Sequence, residues 1–172
     1  MGPERYVDFD RCTAQALHFT LMSYSVDQGE ETRNTLLAAY KALPAFPDTL
    51  PGLIRSRDAG HRLLAFSNGP EASVRAVLDH AGVLPLLDGV VSVDDLRTYK
   101  PNPVVYSYLV ERGGRSPDQT WLVTGNAWDA IGAKAAGLRV AWLRRNPAAI
   151  FDPWEDAFAP DAVVGSLREL PF

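Results

Sequence analysis

The sequence predicts an α/β fold: a Rossmann-like parallel sheet with helices on both faces, entered through a helical segment. Three observations carry this. From Asp48 onward, short continuous apolar runs alternate with amphipathic helical stretches, the pattern of strands buried on both faces. Three of the helical stretches stop at a glycine: Gly60, Gly82 and Gly137. Polar clusters follow the apolar runs directly, and parallel sheets carry their sites at the carboxyl ends of strands.

The first part of the chain, to about Leu43, reads as helical. Ala16, Leu17, Phe19, Thr20, Leu21 and Tyr24 recur at helical spacing, as do Leu36, Leu37, Ala39, Tyr40 and Leu43. Pro44 and Pro47 break the pattern. A short helix follows from Leu50 to Asp58, then an apolar strand, Leu63-Leu64-Ala65-Phe66. A helix around Val74 to His80 leads to a strand at Val90-Val91-Ser92. The next helix, Pro103 to Glu111, opens on proline, which loses no hydrogen bond in a first turn. Thr120 to Thr124 reads as a strand, Asp129 to Ala136 as a helix, and Arg139 to Leu143 and Ala162 to Val164 as the last strands. The predicted boundary lies between a partial helical cap, residues 1–46, and a Rossmann-like core, residues 47–172.

The 172 residues suffice for one domain with a substantial core. A 47% hydrophobic and 22% charged composition is that of a globular protein. The formal net charge of −4, with scattered basic residues, argues against nucleic acid as a partner. The single cysteine, Cys12, makes no intrachain disulfide, so a reducing cytoplasm is expected. Cys12 lies in a helical stretch and reads as structural rather than as a reactive thiol. No apolar run approaches the ~20 residues of a membrane span. Met1-Gly2-Pro3-Glu4-Arg5 contains no apolar signal core, so neither membrane insertion nor export is expected. There is no internal repeat.

Three clusters sit at strand ends. After the first strand, Ser67-Asn68-Gly69 allows a tight turn into a helix whose free N–H groups and Ser67 hydroxyl suit a small anion. The simpler reading is a helix cap. Lys100 in Thr98-Tyr99-Lys100-Pro101-Asn102-Pro103 is directed by the proline after it and can neutralise a carboxylate or a transferred anion. The simpler reading is an exposed loop lysine. In Thr124-Gly125-Asn126-Ala127-Trp128-Asp129, Asn126 and Asp129 are three apart at a helix start and can face one cleft. They also suit the helix dipole as first-turn residues. Trp128 fits either the core or the wall of an apolar pocket.

Taken together these stretches resemble the second, third and fourth motifs of the haloacid dehalogenase superfamily, and most closely the type II L-2-haloacid dehalogenases. The fourth motif is matched by Asn126-Ala127-Trp128-Asp129-Ala130 with Gly132-Ala133. Tyr6-Val7-Asp8-Phe9, Ala16-Leu17 and Pro44-Ala45-Phe46-Pro47-Asp48 resemble that family's helical cap and its return to the core. The resemblance implies metal-free, cofactor-free hydrolysis of short L-2-haloalkanoic acids to 2-hydroxy acids. It implies that Lys100 balances the nucleophile's charge and that Ser67 and Asn68 hold the substrate carboxylate and the leaving halide. Tyr106 and Thr124 would support that network, Asn126 and Asp129 would position the nucleophile and water, and Phe9 and Trp128 would wall the halogen pocket. A homodimer is also implied. Two positions depart from the pattern. Gly125 stands where the family usually has a second serine, and Asp10 puts a carboxylate near an apolar pocket, which is costly unless it faces water.

The family's nucleophile is an aspartate at the end of the first core strand, with a cap arginine close behind it. Neither is recognised here, so the chain is expected to be truncated at its N-terminus, with little or no activity. Losing the central strand would have one of three outcomes: closing of its neighbours, insertion of the N-terminal segment, or cover by a second chain. Asp8-Phe9-Asp10 offers an alternative, the Asp-x-Asp of Mg²⁺-dependent phosphatases, with Asp129 on the metal. Only Tyr6 and Val7 precede it as an apolar run, short of the ~5–6 residues of a usual strand. A non-catalytic binding or assembly module is the third expectation.

Overall fold

The computed structural model describes residues 6–26, 29–151 and 156–172. The reading of Met1 to Arg5 therefore lies outside the described residues. Six α-helices are described: α1 (Phe9–Ser23), α2 (Glu30–Lys41), α3 (Thr49–Asp58), α4 (Glu71–His80), α5 (Pro103–Gly113) and α6 (Ala127–Ala135). From α3 to β4 they alternate with short strands, β1 (Leu64–Ser67), β2 (Gly89–Ser92), β3 (Trp121–Thr124) and β4 (Arg139–Leu143), and a fifth strand, β5 (Ala162–Val164), follows without a described α-helix between.

Local chemistry sets the boundaries. Asp8 caps α1, its carboxylate accepting from the Arg11 N–H at 2.8 Å. Asn102 does the same for α5, accepting from Val104 N–H at 3.1 Å, with Pro103 in the first turn. Gly60, Gly82 and Gly137 each have positive φ, the conformation that lets a chain leave a helix without a Cβ clash. No described helix is long and apolar enough to cross a membrane.

Every strand pair is parallel, and the pairing falls into two groups. β1 pairs with β2, Leu64 opposite Gly89 and Ser67 opposite Ser92. β3, β4 and β5 pair in that order, with Trp121 opposite Arg139 and Ala141 opposite Ala162. β1 and β3 are not hydrogen-bonded to each other, so these neighbours have not closed up. Tyr6 and Val7 lead straight into α1 rather than forming a strand.

The two groups are joined by side chains instead. Val91 and Val93 from one side, Leu122 and Val140 from the other, and Val105, Tyr106, Leu109, Ala130 and Ala133 from α5 and α6 form one buried cluster. A second cluster, Ala141, Val164 and Leu170, packs with Trp121, Leu167 and Phe172. The cap helices bury little: Leu21 in α1, and none in α2. They meet the core through hydrogen bonds. The Tyr99 hydroxyl donates to the Val7 carbonyl, and the Tyr6 hydroxyl to Asp94. The Ser73 hydroxyl donates to Asp10 at 2.6 Å, so Asp10 meets its polar partner on α4.

At the return to the core, Asp48 ties three segments together. One oxygen accepts from Arg145 at 2.7 Å; the other accepts from the Leu167 N–H at 2.7 Å and the Ser166 hydroxyl at 3.2 Å. The Arg145 guanidinium holds the Asp48 carboxyl down at about 2, helped by the Leu167 amide and opposed by burial. A carboxylate depressed in this way stabilises the fold above its unfolded pKa and ceases to do so as pH falls through the folded value. Asp48→Asn should cost on the order of 2 kcal/mol at neutral pH. The difference from the parent should shrink between about pH 4 and pH 2 in urea unfolding measured across pH.

Candidate active site

The three clusters converge where the two strand groups face each other. The centre is the Asp129 carboxylate, in the first turn of α6, with its side chain 2% exposed. One oxygen accepts from the Tyr106 hydroxyl at 2.8 Å. The other accepts from the Lys100 ammonium at 3.0 Å and the Thr124 hydroxyl at 3.2 Å. Two of these donors are neutral and one is charged, so the buried carboxylate is balanced rather than isolated. Burial pushes the Tyr106 phenol well above its ordinary range, and the Asp129 charge raises it further. Tyr106 therefore acts as a fixed hydrogen-bond donor at any ordinary pH.

Lys100 spans the gap between the groups. Its ammonium reaches Asp129, after β3, and also donates to the carbonyl of Phe66 in β1 at 3.2 Å. It lies 4.4 Å from the centre of the Phe66 ring. Its backbone N–H donates to the side chain of Asn68 at 2.9 Å, joining the Lys100 loop to the turn after β1. The loop-lysine reading of Lys100 is thus replaced by a buried one: the side chain is 11% exposed.

The capping readings separate as well. Ser67 accepts from the Gly69 N–H at 3.1 Å, closing its own turn, while α4 starts beyond it at Glu71 with no side-chain cap. Asn126 occupies the cap position of α6, yet its side chain makes no capping bond. Its backbone N–H donates to Thr124 at 3.1 Å. Phe9 stands at the start of α1, with its ring 6.1 Å from that of Tyr99, and Trp128 is 46% exposed on the first turn of α6. Lys100, Asp129, Tyr106, Thr124, Asn68 and Asn126 thus form one connected network; Ser67 and Trp128 precede Asn68 and Asp129 in the chain without bonding to the carboxylate, and the ring contact of Phe9 is with Tyr99.

Sequence reading named Tyr99 and Ser92 within their stretches but gave them no role. Tyr99 holds the entry to α1 through Val7 and Cys12 (Sγ 3.4 Å away), and its ring stacks near Tyr6 at 5.2 Å. Burial, then the contact with Cys12, pushes its phenol up to about 12. Its place directly before Lys100 was the available signal. Buried Ser92 donates to the Gly69 carbonyl at 2.7 Å and steadies the turn after β1. No local pattern marks it. A cleft of about 280 Å³ opens beside Lys100, walled by Tyr6, Tyr99, Thr98 and Asn102. Asp8 and Asp10, by contrast, end no strand: one caps α1 and the other is bonded to Ser73, which favours the cap reading of that segment.

Residues 6–137 match the model of the haloacid dehalogenase-like hydrolase family. The chain is 35% identical over 167 residues to (S)-2-haloacid dehalogenase 4A of Burkholderia cepacia, covering 96% of this chain and 71% of that protein. It is 36% identical over 168 residues to (S)-2-haloacid dehalogenase 1 of Pseudomonas sp. strain CBS-3, covering 97% and 72%. Its fold superimposes on the L-2-haloacid dehalogenase of Xanthobacter autotrophicus, solved with chloropropionic acid covalently bound. There the TM-score is 0.83 at 30% identity, covering 98% of this chain and 76% of the other.

Breaking the ion pair from one side leaves a buried charge uncompensated. Lys100→Met and Asp129→Asn should each destabilise by about 3 kcal/mol. The double variant should cost clearly less than their sum, as read from urea midpoints in a double-mutant cycle.

Proposed function

The chain belongs to the haloacid dehalogenase-like hydrolase family, and from that premise we propose that it serves the hydrolytic dehalogenation of short L-2-haloalkanoic acids to 2-hydroxy acids. The observation that carries the reading is the Lys100 ammonium, held by a buried carboxylate between the carboxyl ends of β1 and β3. The chemistry needs a carboxylate to attack C2 of the substrate, break the carbon–halogen bond and form an ester; water then cleaves the ester at its carbonyl. The relative from Xanthobacter autotrophicus holds chloropropionic acid covalently, which fits such an intermediate.

Roles follow from the geometry. Lys100 balances the attacking carboxylate and the negative charge that develops as halide leaves. Asp129 does not attack, because both its oxygens already accept hydrogen bonds and its side chain is 2% exposed. It anchors Lys100, and Tyr106 and Thr124 anchor Asp129. Ser67 and Asn68 are assigned to the substrate carboxylate and halide, Asn126 to the water, and Phe9 and Trp128 to the apolar wall. The reading requires an attacking carboxylate within reach of Lys100, between the carboxyl ends of β1 and β3. Residues 1–46 are taken as a partial cap over the core of residues 47–172. The protein is taken to act in the cytoplasm as a homodimer, supported by its lone Cys12 and by the exposed Phe19, Met22, Leu36 and Tyr40 on α1 and α2.

Halide release from L-2-chloropropionate in EDTA tests the reading. Two preparations are compared: the chain as it stands, and the chain extended by one strand ending in aspartate. Release that is faster with the added carboxylate by about 10³-fold or more is expected. Lys100→Met should then lower it by roughly 10²- to 10³-fold. Release by the unextended chain that vanishes in Asp8→Asn or Asp10→Asn would instead move the nucleophile to the start of α1. Metal-dependent hydrolysis of a phosphate ester, with no halide release, would replace the reading altogether.

A further inference from the structure

We propose that Gly132 is a positioning residue of this site: the absence of a Cβ there admits the Tyr106 ring and lets its hydroxyl hold Asp129. The consequence for catalysis rests on the dehalogenase reading; the geometry does not.

A Cβ built at Gly132 would lie 2.5 Å from the Tyr106 hydroxyl oxygen and 2.8 Å from both Cε2 and Cζ of its ring. All three distances are shorter than real side chains tolerate. Tyr106 has little room to retreat, because it is fully buried and packs edge-on against Phe66, with ring centres 5.9 Å apart. Backbone conformation does not explain the glycine. Gly132 lies inside α6 and is not among the glycines with positive φ, so an alanine would fit its main chain and favour the helix more. Space is what remains. Gly132 follows Asp129 by three residues, so both face the same side of α6. Tyr106 comes across from α5 to meet that face, and its hydroxyl donates to the carboxylate at 2.8 Å and to the Asp129 carbonyl at 3.2 Å. The helix gives up a favourable residue where the tyrosine must approach, and Asp129, which anchors Lys100, depends on that approach.

The test uses the full chain with two readouts. The first is the Tyr106 hydroxyl proton, read by NMR as the isotope splitting of the tyrosine ¹³Cζ signal in mixed H₂O and D₂O. A buried, doubly hydrogen-bonded hydroxyl should exchange slowly in the parent and show the splitting. Gly132→Ala should abolish it. The second readout is the sign of a Tm change, which covers the case in which Gly132→Ala folds poorly. Gly132→Ala should lower Tm in the parent and raise it in a Tyr106→Leu background, where the ring is gone and only helix preference remains. A splitting that survives Gly132→Ala, or a Tm change of the same sign in both backgrounds, would overturn the proposal. Neither readout needs halide release, so failure of the dehalogenase reading is told apart from failure of this one.

Discussion

The ion pair between Lys100 and Asp129 is the contact on which the site depends, because it bridges strands that are not hydrogen-bonded to each other. β1 ends beside the ammonium through the Phe66 carbonyl; β3 ends beside it through Asp129. A buried pair of this kind recovers its desolvation cost only when the remaining polar atoms are also satisfied. Here they are, by Tyr106 and Thr124 on the carboxylate and by the Phe66 carbonyl and ring on the ammonium. Among the described residues no buried side-chain polar atom is left without a partner.

On the proposed dehalogenase reading, that satisfaction divides the labour between anchor and charge. A carboxylate with three donors on it is a poor nucleophile and a good anchor. An ammonium held between two strand ends presents positive charge in one direction without having to reorganise, the condition under which electrostatics contributes most to catalysis. The same logic runs outward. Thr124 holds Asp129 while accepting from the Asn126 N–H, so the turn into α6 and the carboxylate are set by one hydroxyl. Asn68 receives the Lys100 backbone N–H, so the lysine is fixed at both ends. Cap and core meet at a second seam, where hydrogen bonds through Tyr99, Tyr6 and Ser73 accompany the ring contacts of Tyr6 and Phe9 with Tyr99.

Much of the fold was legible in the residues. Continuous apolar runs marked the strands, and proline or glycine marked the helix ends, because both signals act over a few neighbouring residues. Residues that touch the site were legible too, as polar groups directly after strands. What they do there was not. Ser67-Asn68 and Asn126-Asp129 suit helix caps by composition, and Lys100 suits a loop. Only the folded chain shows Asp129 turned inward to Lys100, since that choice is made by residues 29 positions apart. The contacts of Tyr99, Ser92 and Gly132 were not legible for the same reason: their partners, Val7, Gly69 and Tyr106, are distant in sequence.

By itself the sequence determined the alternation of parallel strands and helices, the helical entry before Asp48, and the polar strand ends. These follow from hydrophobic periodicity and turn chemistry, which are local. The tertiary structure alone decided that the strands hydrogen-bond in two separate groups, that Asp8 and Asp10 serve the start of a helix, and that a lysine joins the two groups through a buried carboxylate. Pairing across a sheet and the burial of a charge depend on what lies on the far side of the gap, and no window along the chain contains that information.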